Sequence, residues 1–330
     1  MRVVVLDDHL GSALDLGDWA SLGPDVEVDA VPEHLGGHEL TARLTGAEVV
    51  FVHRERTVLD RERFAALPTL RLVVTGGRTN RAIDIGAASD LGIVVSRIRR
   101  TGGNGSDPTV ELTWALILSL LRHVPESDAA MRRGEWQTRL GSGLAGKRLG
   151  VVGLGRLGEP VARIGAAFGL QVGAWSPNLT AGRCAEVGVE RLAKDELFAT
   201  ADIVSIHLVL SERSRHTVGR DELARMKPTA VLVNTARGPL VDQEALLDAL
   251  HSGALAGAGL DVYDEEPLPA AHPLRSAPNT VLTPHLGFVT AGSLSRMYAG
   301  AIEAIAAYRS GAPSGVMAPE DGLLSSEPSG

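Results

Sequence analysis

Three segments late in the chain each place a chemically able side chain just past an apolar run: Arg237 in Asn234-Thr-Ala-Arg237-Gly238, Glu266 in Asp261-Val-Tyr-Asp-Glu-Glu266-Pro267, and His285 in Thr283-Pro284-His285-Leu-Gly287. The planar fork of an arginine can grip a carboxylate or a carbonyl oxygen without titrating. Histidine exchanges protons near neutrality, and a neighbouring carboxylate orients its ring and stabilises the imidazolium. A cation, a proton donor and an orienting acid are what reduction of a 2-keto acid asks of a protein, once a cofactor brings the hydride. Each residue also has a plainer role open to it. Arg237 could bind a helix end or a surface acid, His285 could be a satisfied loop histidine, and Glu266 could belong with Asp264 and Glu265 to a solvated acidic turn. Their joint occurrence past successive strands favours the chemical role, because ligands of an open α/β sheet bind at the carboxyl ends of its strands.

A place for the hydride carrier is written earlier in the chain. Gly153-Leu-Gly155-Arg-Leu-Gly158 follows the apolar run Leu149-Gly-Val-Val152 and precedes Val161-Ala-Arg-Ile164, the strand, glycine turn and helix order of a dinucleotide loop. The first glycine lets the chain turn, the second lets backbone approach a pyrophosphate, and the third lets helix pack closely on strand. At the end of the next strand, where an acidic residue normally holds the adenosine ribose, stands Ser176 in Trp175-Ser-Pro-Asn-Leu-Thr180. Serine lacks the charge that repels a 2′-phosphate, and Asn178, Thr180 and Arg183 are close in sequence as phosphate contacts. The cofactor is therefore NAD or NADP, undecided at this level.

Two alternating series of short apolar runs and helical stretches must position these groups. The first is Val3–Leu6, Val26–Val28, Val49–Val52, Leu72–Val74 and Ile93–Val95. The second is Leu149–Val152, Gln171–Trp175, Ile203–Ile206, Ala230–Asn234, Gly257–Leu260 and Thr280–Leu282. That rhythm predicts an α/β protein with two doubly wound parallel sheets, and a chain of 330 residues is long enough for two domains. Residues 99 to 108 carry three glycines and no apolar side chain but proline, which predicts a joining loop. A long helix is predicted from Thr109 to about Arg133, kinked or divided at Pro125. Another is predicted from Thr290 to Arg309, and the Gly-, Pro- and Ser-rich residues 311 to 330 read as a loose tail.

A net charge of −8 argues against nucleic acid as the main partner. The longest apolar run, Leu112 to Leu121, is too short to span a membrane. One cysteine, Cys184, allows no internal disulfide, and the chain opens on a strand-like segment, so a cytoplasmic setting is expected. The histidines show no ligand-like spacing with Cys or acids, so no metal is expected.

Several further segments occur in a telling order: Val74-Thr-Gly-Gly77 with Ile83-Asp84-Ile85, the Gly153 to Gly158 loop, Ala167-Phe168-Gly169, Asp202-Ile-Val-Ser-Ile-His207, Met226-Lys227-Pro228, Asn234-Thr-Ala-Arg-Gly238, Leu260-Asp-Val-Tyr263 and Thr283-Pro-His285. Through them the chain resembles, over nearly its whole length, the D-isomer-specific 2-hydroxyacid dehydrogenase family, which includes D-3-phosphoglycerate dehydrogenases and glyoxylate/hydroxypyruvate reductases. The resemblance implies a discontinuous flavodoxin-like substrate-binding domain, residues 1–99 and 290–330. Into it a Rossmann-type NAD(P)-binding domain, residues 100–289, is inserted, with the active site in the cleft. It implies that Arg237 binds substrate, that His285 is the acid/base and Glu266 its partner, and that Asp261 meets the nicotinamide carboxamide. Arg156, Leu157, His207, Thr235 and Ala236 would lie along the cofactor beside Gly153, Gly155, Gly158 and Ser176. The backbone of Gly76 and Gly77 would receive the substrate carboxylate, and Arg54 or Arg56 would reach larger substrates. A homodimer built on the long helix is also implied.

Two departures bear on specificity. The family's usual His-x-Pro-Leu is His207-Leu-Val-Leu210 here, and Gly76-Gly-Arg-Thr-Asn80 differs from the commoner turn. Two other functions share these residues: a dinucleotide-sensing, corepressor-like binding protein, and a phosphite-type dehydrogenase of the same family. A substrate panel run with both cofactors separates them from a 2-keto acid reductase.

Overall fold

Both alternating series become parallel sheets in the computed structural model, which describes residues 1–77, 80–98 and 107–321. The chain divides into two units, Met1–Asn104 with Thr290–Gly330, and Gly105–Val289. Of the expected loop at 99–108, residues 99–106 lie outside the described residues, as does the end of the expected tail, 322–330, while Asp107 caps and Pro108 begins a helix.

The first unit carries strands β1 (Arg2–Val5), β2 (Glu27–Ala30), β3 (Val49–Val52), β4 (Leu72–Thr75) and β5 (Val94–Arg97), in the order β2-β1-β3-β4-β5. That is the flavodoxin-like doubly wound order, whose direction reverses between β1 and β3. β1, β3 and β4 are buried almost throughout, as strands covered on both faces must be, which is why they read as unbroken Val-rich runs. The helix Ala291–Arg309 begins at Thr290, whose side chain accepts from the Ser293 N–H. It buries Leu294, Met297, Tyr298, Ala301, Ile302 and Ile305, a stripe at helical spacing, and packs on β4 and on the helix Ala13–Leu16.

The start of the tail corrects the sequence reading. The Arg97 N–H donates to Gly315 O (2.9 Å) and the Met317 N–H to Val95 O (2.9 Å), with Ser96 and Val316 forming an antiparallel bridge. Met317 is buried in the core. This segment covers the open edge of β5, a task that needs backbone groups and one anchor side chain rather than an apolar pattern.

The second unit carries β6 (Arg148–Val152), β7 (Gln171–Trp175), β8 (Glu190–Arg191), β9 (Ile203–Ile206), β10 (Val231–Asn234), β11 (Gly257–Leu260) and β12 (Thr280–Leu282), in the order β12-β11-β10-β9-β6-β7-β8. Counted from β6 this is the Rossmann order, reversing between β6 and β9. Successive residues face opposite layers: Ile203 and Val231 join one core cluster, Val204 and Leu232 the other. β8 has two residues, both exposed, and leaves no apolar pattern to read.

The long helix breaks earlier than expected. It runs Pro108–Arg122, then His123 takes a left-handed conformation (φ 49°, ψ 43°), and a second helix covers Val124–Arg132. Pro125 sits in that helix's first turn, where its missing N–H costs nothing, so it marks a helix start rather than the break. The first of these helices packs on β10, β11 and β12. Among the described residues, no helix is long and apolar enough to cross a membrane.

Candidate active site

Each loop that follows β10, β11 and β12 is tied to its neighbour. Asn234, buried at the end of β10, accepts at Oδ1 from the Ala236 N–H (3.0 Å) and donates from Nδ2 to Arg237 O (2.8 Å), which fixes the turn that presents Arg237. The Asp261 N–H donates to Asn234 O (3.0 Å), joining the next loop. Gly238 presses on that loop so closely that a Cβ there would meet Tyr263 C at 2.1 Å, so any other residue would drive the two loops apart. The Tyr263 hydroxyl lies 3.1 Å from Leu260 O and 3.0 Å from Thr283 O, bridging the ends of β11 and β12.

Through this lattice Glu266 and His285 meet. Glu266 Oε1 accepts from the Tyr263 N–H (2.9 Å), and Oε2 lies 2.5 Å from His285 Nδ1. With Glu266 ionised, Nδ1 carries the hydrogen and Nε2 is left for proton exchange. Both side chains keep a little exposure, 16% for His285 and 22% for Glu266. His285 is held with φ 54°, in the left-handed region that few residues other than glycine enter, and its ring stands edge-on to Phe288 at 5.7 Å. Part of that hold comes from Asp261. That fully buried carboxylate accepts from the Thr283 hydroxyl (2.6 Å), the Leu286 N–H (2.6 Å) and the Gly287 N–H (2.8 Å), gathering the loop on both sides of His285. Burial raises the pKa of Asp261 and the three donors oppose that rise. Arg237 is partly buried and turns one Nη1 hydrogen to Ala236 O (2.8 Å).

The glycine loop lies at the point where the strand order reverses. The Gly153 N–H donates to Trp175 O (2.8 Å) and the His207 N–H to Val152 O (2.8 Å), so the loops after β6, β7 and β9 meet there. A Cβ on Gly153 (φ 102°) would strike the His207 backbone at 2.9 Å, and one on Gly158 would strike Gly153 O at 1.9 Å. A Cβ on Gly155 would meet nothing within 4 Å. The outer glycines therefore close the turn, and the middle one keeps clear the space a pyrophosphate would fill. His207 Nε2 lies 2.8 Å from Ser205 Oγ, while Nδ1 is buried with no partner among the described residues; burial brings the pKa down to about 4, leaving a neutral ring. Thr235 is buried against Thr113, hydroxyl to hydroxyl at 2.8 Å, and Ala236 lies beside it. Arg156 and Asp107 form an ion pair at the base of the loop, and Leu157 is the N-cap of the helix that begins at Gly158. These features fit a dinucleotide.

In the first unit, Arg54 and Arg56 occupy a short turn after β3, and Gly76 and Gly77 follow β4. Gly76 and Arg54 are neighbours, since a Cβ on Gly76 would lie 4.0 Å from Arg54 Cγ. The altered turn at Arg78 and Thr79 falls outside the described residues. Sequence reasoning quoted Asn80 only as part of the altered turn and gave it no role; it is fully buried, donates to Arg54 O (2.5 Å) and Thr75 Oγ1 (2.8 Å) and accepts from the Ala82 N–H (2.9 Å). The sequence reading passed over His53, buried beside Arg54 with neither ring nitrogen partnered among the described residues. Neither residue sits in a pattern that distinguishes it from an ordinary loop residue. Among the described residues, no cluster of His, Cys, Asp and Glu is placed to hold a metal ion.

Comparison with known proteins agrees with this geometry. Residues 114–287 match the family described as D-isomer specific 2-hydroxyacid dehydrogenase, NAD binding domain. A glyoxylate reductase of Aeropyrum pernix is 40% identical over 262 residues, 77% of each chain. A D-3-phosphoglycerate dehydrogenase of Mycobacterium bovis is 37% identical over 300 residues, 90% of this chain and 54% of that one. Among solved structures, a phosphoglycerate oxidoreductase of Vibrio cholerae superposes with a TM-score of 0.88 at 31% identity, covering 94% of this chain and 100% of that one.

Proposed function

The chain belongs to the D-isomer specific 2-hydroxyacid dehydrogenase family, and we propose from this premise that it interconverts a small 2-keto acid and its D-2-hydroxy acid with a nicotinamide dinucleotide. The observation that carries the proposal is the 2.5 Å contact of His285 Nδ1 with a Glu266 carboxylate that is itself held by Tyr263.

When bound, the nicotinamide supplies or accepts the hydride. The remaining work falls to the chain. Arg237 binds the carboxylate and carbonyl of the acid and polarises the carbonyl. His285 gives a proton from Nε2 to the developing alkoxide, and Glu266 stabilises the imidazolium and fixes the ring; in oxidation the neutral ring takes the proton back. Gly153, Gly155, Arg156, Leu157 and Gly158, with Ser176 and His207, would hold the dinucleotide, and Thr235, Ala236 and Asp261 would meet its nicotinamide end. Gly76 and Gly77 receive the substrate carboxylate, and Arg54 and Arg56 contact its distal end. These roles extend over a substrate-binding domain of residues 1–99 and 290–330 and a cofactor domain of residues 100–289. Because glyoxylate reductases and phosphoglycerate dehydrogenases both stand among the relatives, the substrate is a short 2-keto acid with a polar tail or none.

The same reading includes a homodimer formed through the helices Pro108–Arg122 and Val124–Arg132. In support, Leu118, Arg122, Val124, Ser127, Asp128 and Met131 line an open groove of about 530 Å³ on these helices, and Trp136 and Leu140 nearby are 73% and 96% exposed. Dependence on a nicotinamide dinucleotide also argues for a cytoplasmic setting.

The test is a panel of glyoxylate, hydroxypyruvate, pyruvate and a bulkier aryl keto acid, each offered with NADH and with NADPH. Loss of reduced-nicotinamide absorbance with at least one acid is expected. Silence from every acid with both cofactors overturns the proposal, and dinucleotide binding without turnover would favour a sensing protein instead.

A further inference from the structure

Around Ser176 the fold brings together side chains that are apart in the sequence. Ser176 follows β7 and is tied to the glycine loop through the Gly153 N–H bond to Trp175 O, so it lies where the adenosine ribose of a dinucleotide ends. Two residues on, the Asn178 amide, oriented by its hydrogen bonds, donates to Pro177 O (3.3 Å) and accepts from Arg213 Nη2 (3.1 Å). Arg213 arrives from the loop after β9, on the short turn Glu212–Ser214. That turn is pinned from beneath: Ser214, buried, donates to Val209 O (2.8 Å) and accepts from the Ser211 N–H (2.7 Å). A guanidinium and an amide are thus brought to the ribose end from two separate loops.

The arginine nearer in sequence is engaged elsewhere. Arg183 bonds both Glu159 and Glu186, and Glu159 also holds Arg163 (2.9 Å). The Arg183 charge is offset by these carboxylates, which raise its pKa. Glu190, the acid on β8, is paired with Arg148, and Glu212 is exposed beside Arg213. No acid occupies the segment from Ser176 to Arg183, where one would repel a phosphate.

We propose that this chain selects NADP over NAD, with Arg213 and Asn178 gripping the 2′-phosphate of the adenosine ribose beside Ser176, and with Arg183 serving only to hold the helix that follows. The proposal rests on the reading of the chain as a nicotinamide dinucleotide enzyme. A hydrogen-bonded guanidinium–phosphate pair on a partly exposed loop is worth about ten-fold in affinity.

Isothermal titration of the full chain with NADP⁺ and NAD⁺ tests it without recourse to turnover. NADP⁺ is expected to bind about ten-fold or more tighter than NAD⁺, and 2′,5′-ADP to compete better than 5′-ADP. Arg213→Ala should collapse the ratio of the two affinities toward unity, Ser176→Asp should invert it, and Arg183→Ala should leave it standing. Arg213 is exposed, so its truncation spares the core, and circular dichroism of each variant checks the fold. Tighter binding of NAD⁺, loss of both affinities in proportion on Arg213→Ala, or collapse of the ratio on Arg183→Ala would each overturn the assignment while the dinucleotide reading stands. Failure of the wild-type chain to bind either dinucleotide would overturn both.

Discussion

The two sheets of this protein put a histidine in the same topological place and surround it in opposite ways. His53 follows β3 and His207 follows β9, in each case the first residue past the strand beside the point where the order reverses. Both rings are kept neutral by burial, which brings their pKa values down to about 3 and about 4. Opposite His207 is Gly153 (φ 102°) and the opening at Gly155; the loop after β1 in the first unit instead presents Asp7 (φ 57°) and Asp8, both buried. Asp7 is held by the Thr57 hydroxyl (2.6 Å) and lies 2.8 Å from His34 Nδ1, and Asp8 accepts from the Ser12 and Ala13 N–H groups (3.1 and 2.9 Å). Two carboxylates at the reversal point repel an anion, whereas bare backbone admits one. A doubly wound sheet therefore offers a crevice, and the loop after its first strand decides whether a dinucleotide can use it.

The contrast can be tested where it should matter most, in the chemistry assigned to the second unit. His285→Ala is expected to lower kcat about 10³-fold, because positioned proton transfer contributes roughly 10²–10⁴. Steady-state rates against the best acid of the panel measure this, and a loss under about three-fold would remove His285 from the proton path.

Next in size is a substitution that makes the second unit resemble the first. Gly155→Asp puts a carboxylate into the open space at the glycine loop, where a Cβ meets nothing within 4 Å, so the fold should survive. Dinucleotide affinity should fall about 100-fold, since like charges brought together cost several kcal/mol. Retained affinity by titration would show that the opening at Gly155 is not the pyrophosphate site.

The smallest effect concerns stability and the first unit. The folded pKa of His53, about 3, lies below its ordinary value of 6.5, so between pH 6.5 and pH 3 the unfolded chain binds a proton that the folded one refuses. Stability is then unaffected above pH 6.5, declines as pH falls through that window, and levels off below it. Between pH 7 and pH 5 the loss should be about 2 kcal/mol, at 1.36 kcal/mol per unit. Urea midpoints of wild type and His53→Leu measure it: the variant should lose that part of the slope, and parallel pH curves would show that the ring is not the cause.

Much of the architecture could be read along the chain because its signals are local. Of the twelve strands among the described residues, nine lie within a residue of their expected bounds, since strands buried on both faces must be β-branched runs; β2 and β5 are displaced and β8 was not foreseen. The candidate site was legible as residue types. Arg237, Glu266 and His285 each stand past a strand, and the structure ties their three loops together. Less could be seen where function depends on partners far apart in sequence. Nothing near Met317 announces that it would cap the edge of β5, and nothing in Ser211-Glu-Arg-Ser214 distinguishes Arg213 from any surface arginine. The break at His123 was displaced to Pro125 because the proline is visible and a left-handed residue is not.

By itself the sequence determined the class of fold, the place and form of the glycine turn, and the kinds of side chain available for hydride and proton chemistry. Each of these follows from sterics or burial within a window of a few residues. Only the tertiary structure decided which groups meet: Glu266 with His285 across 19 residues, Asn178 with Arg213 between two loops, the buried rings of His53 and His207 beside unlike turns. Such meetings depend on strand order and on how loops from neighbouring strands lean together, and no short stretch of chain encodes that.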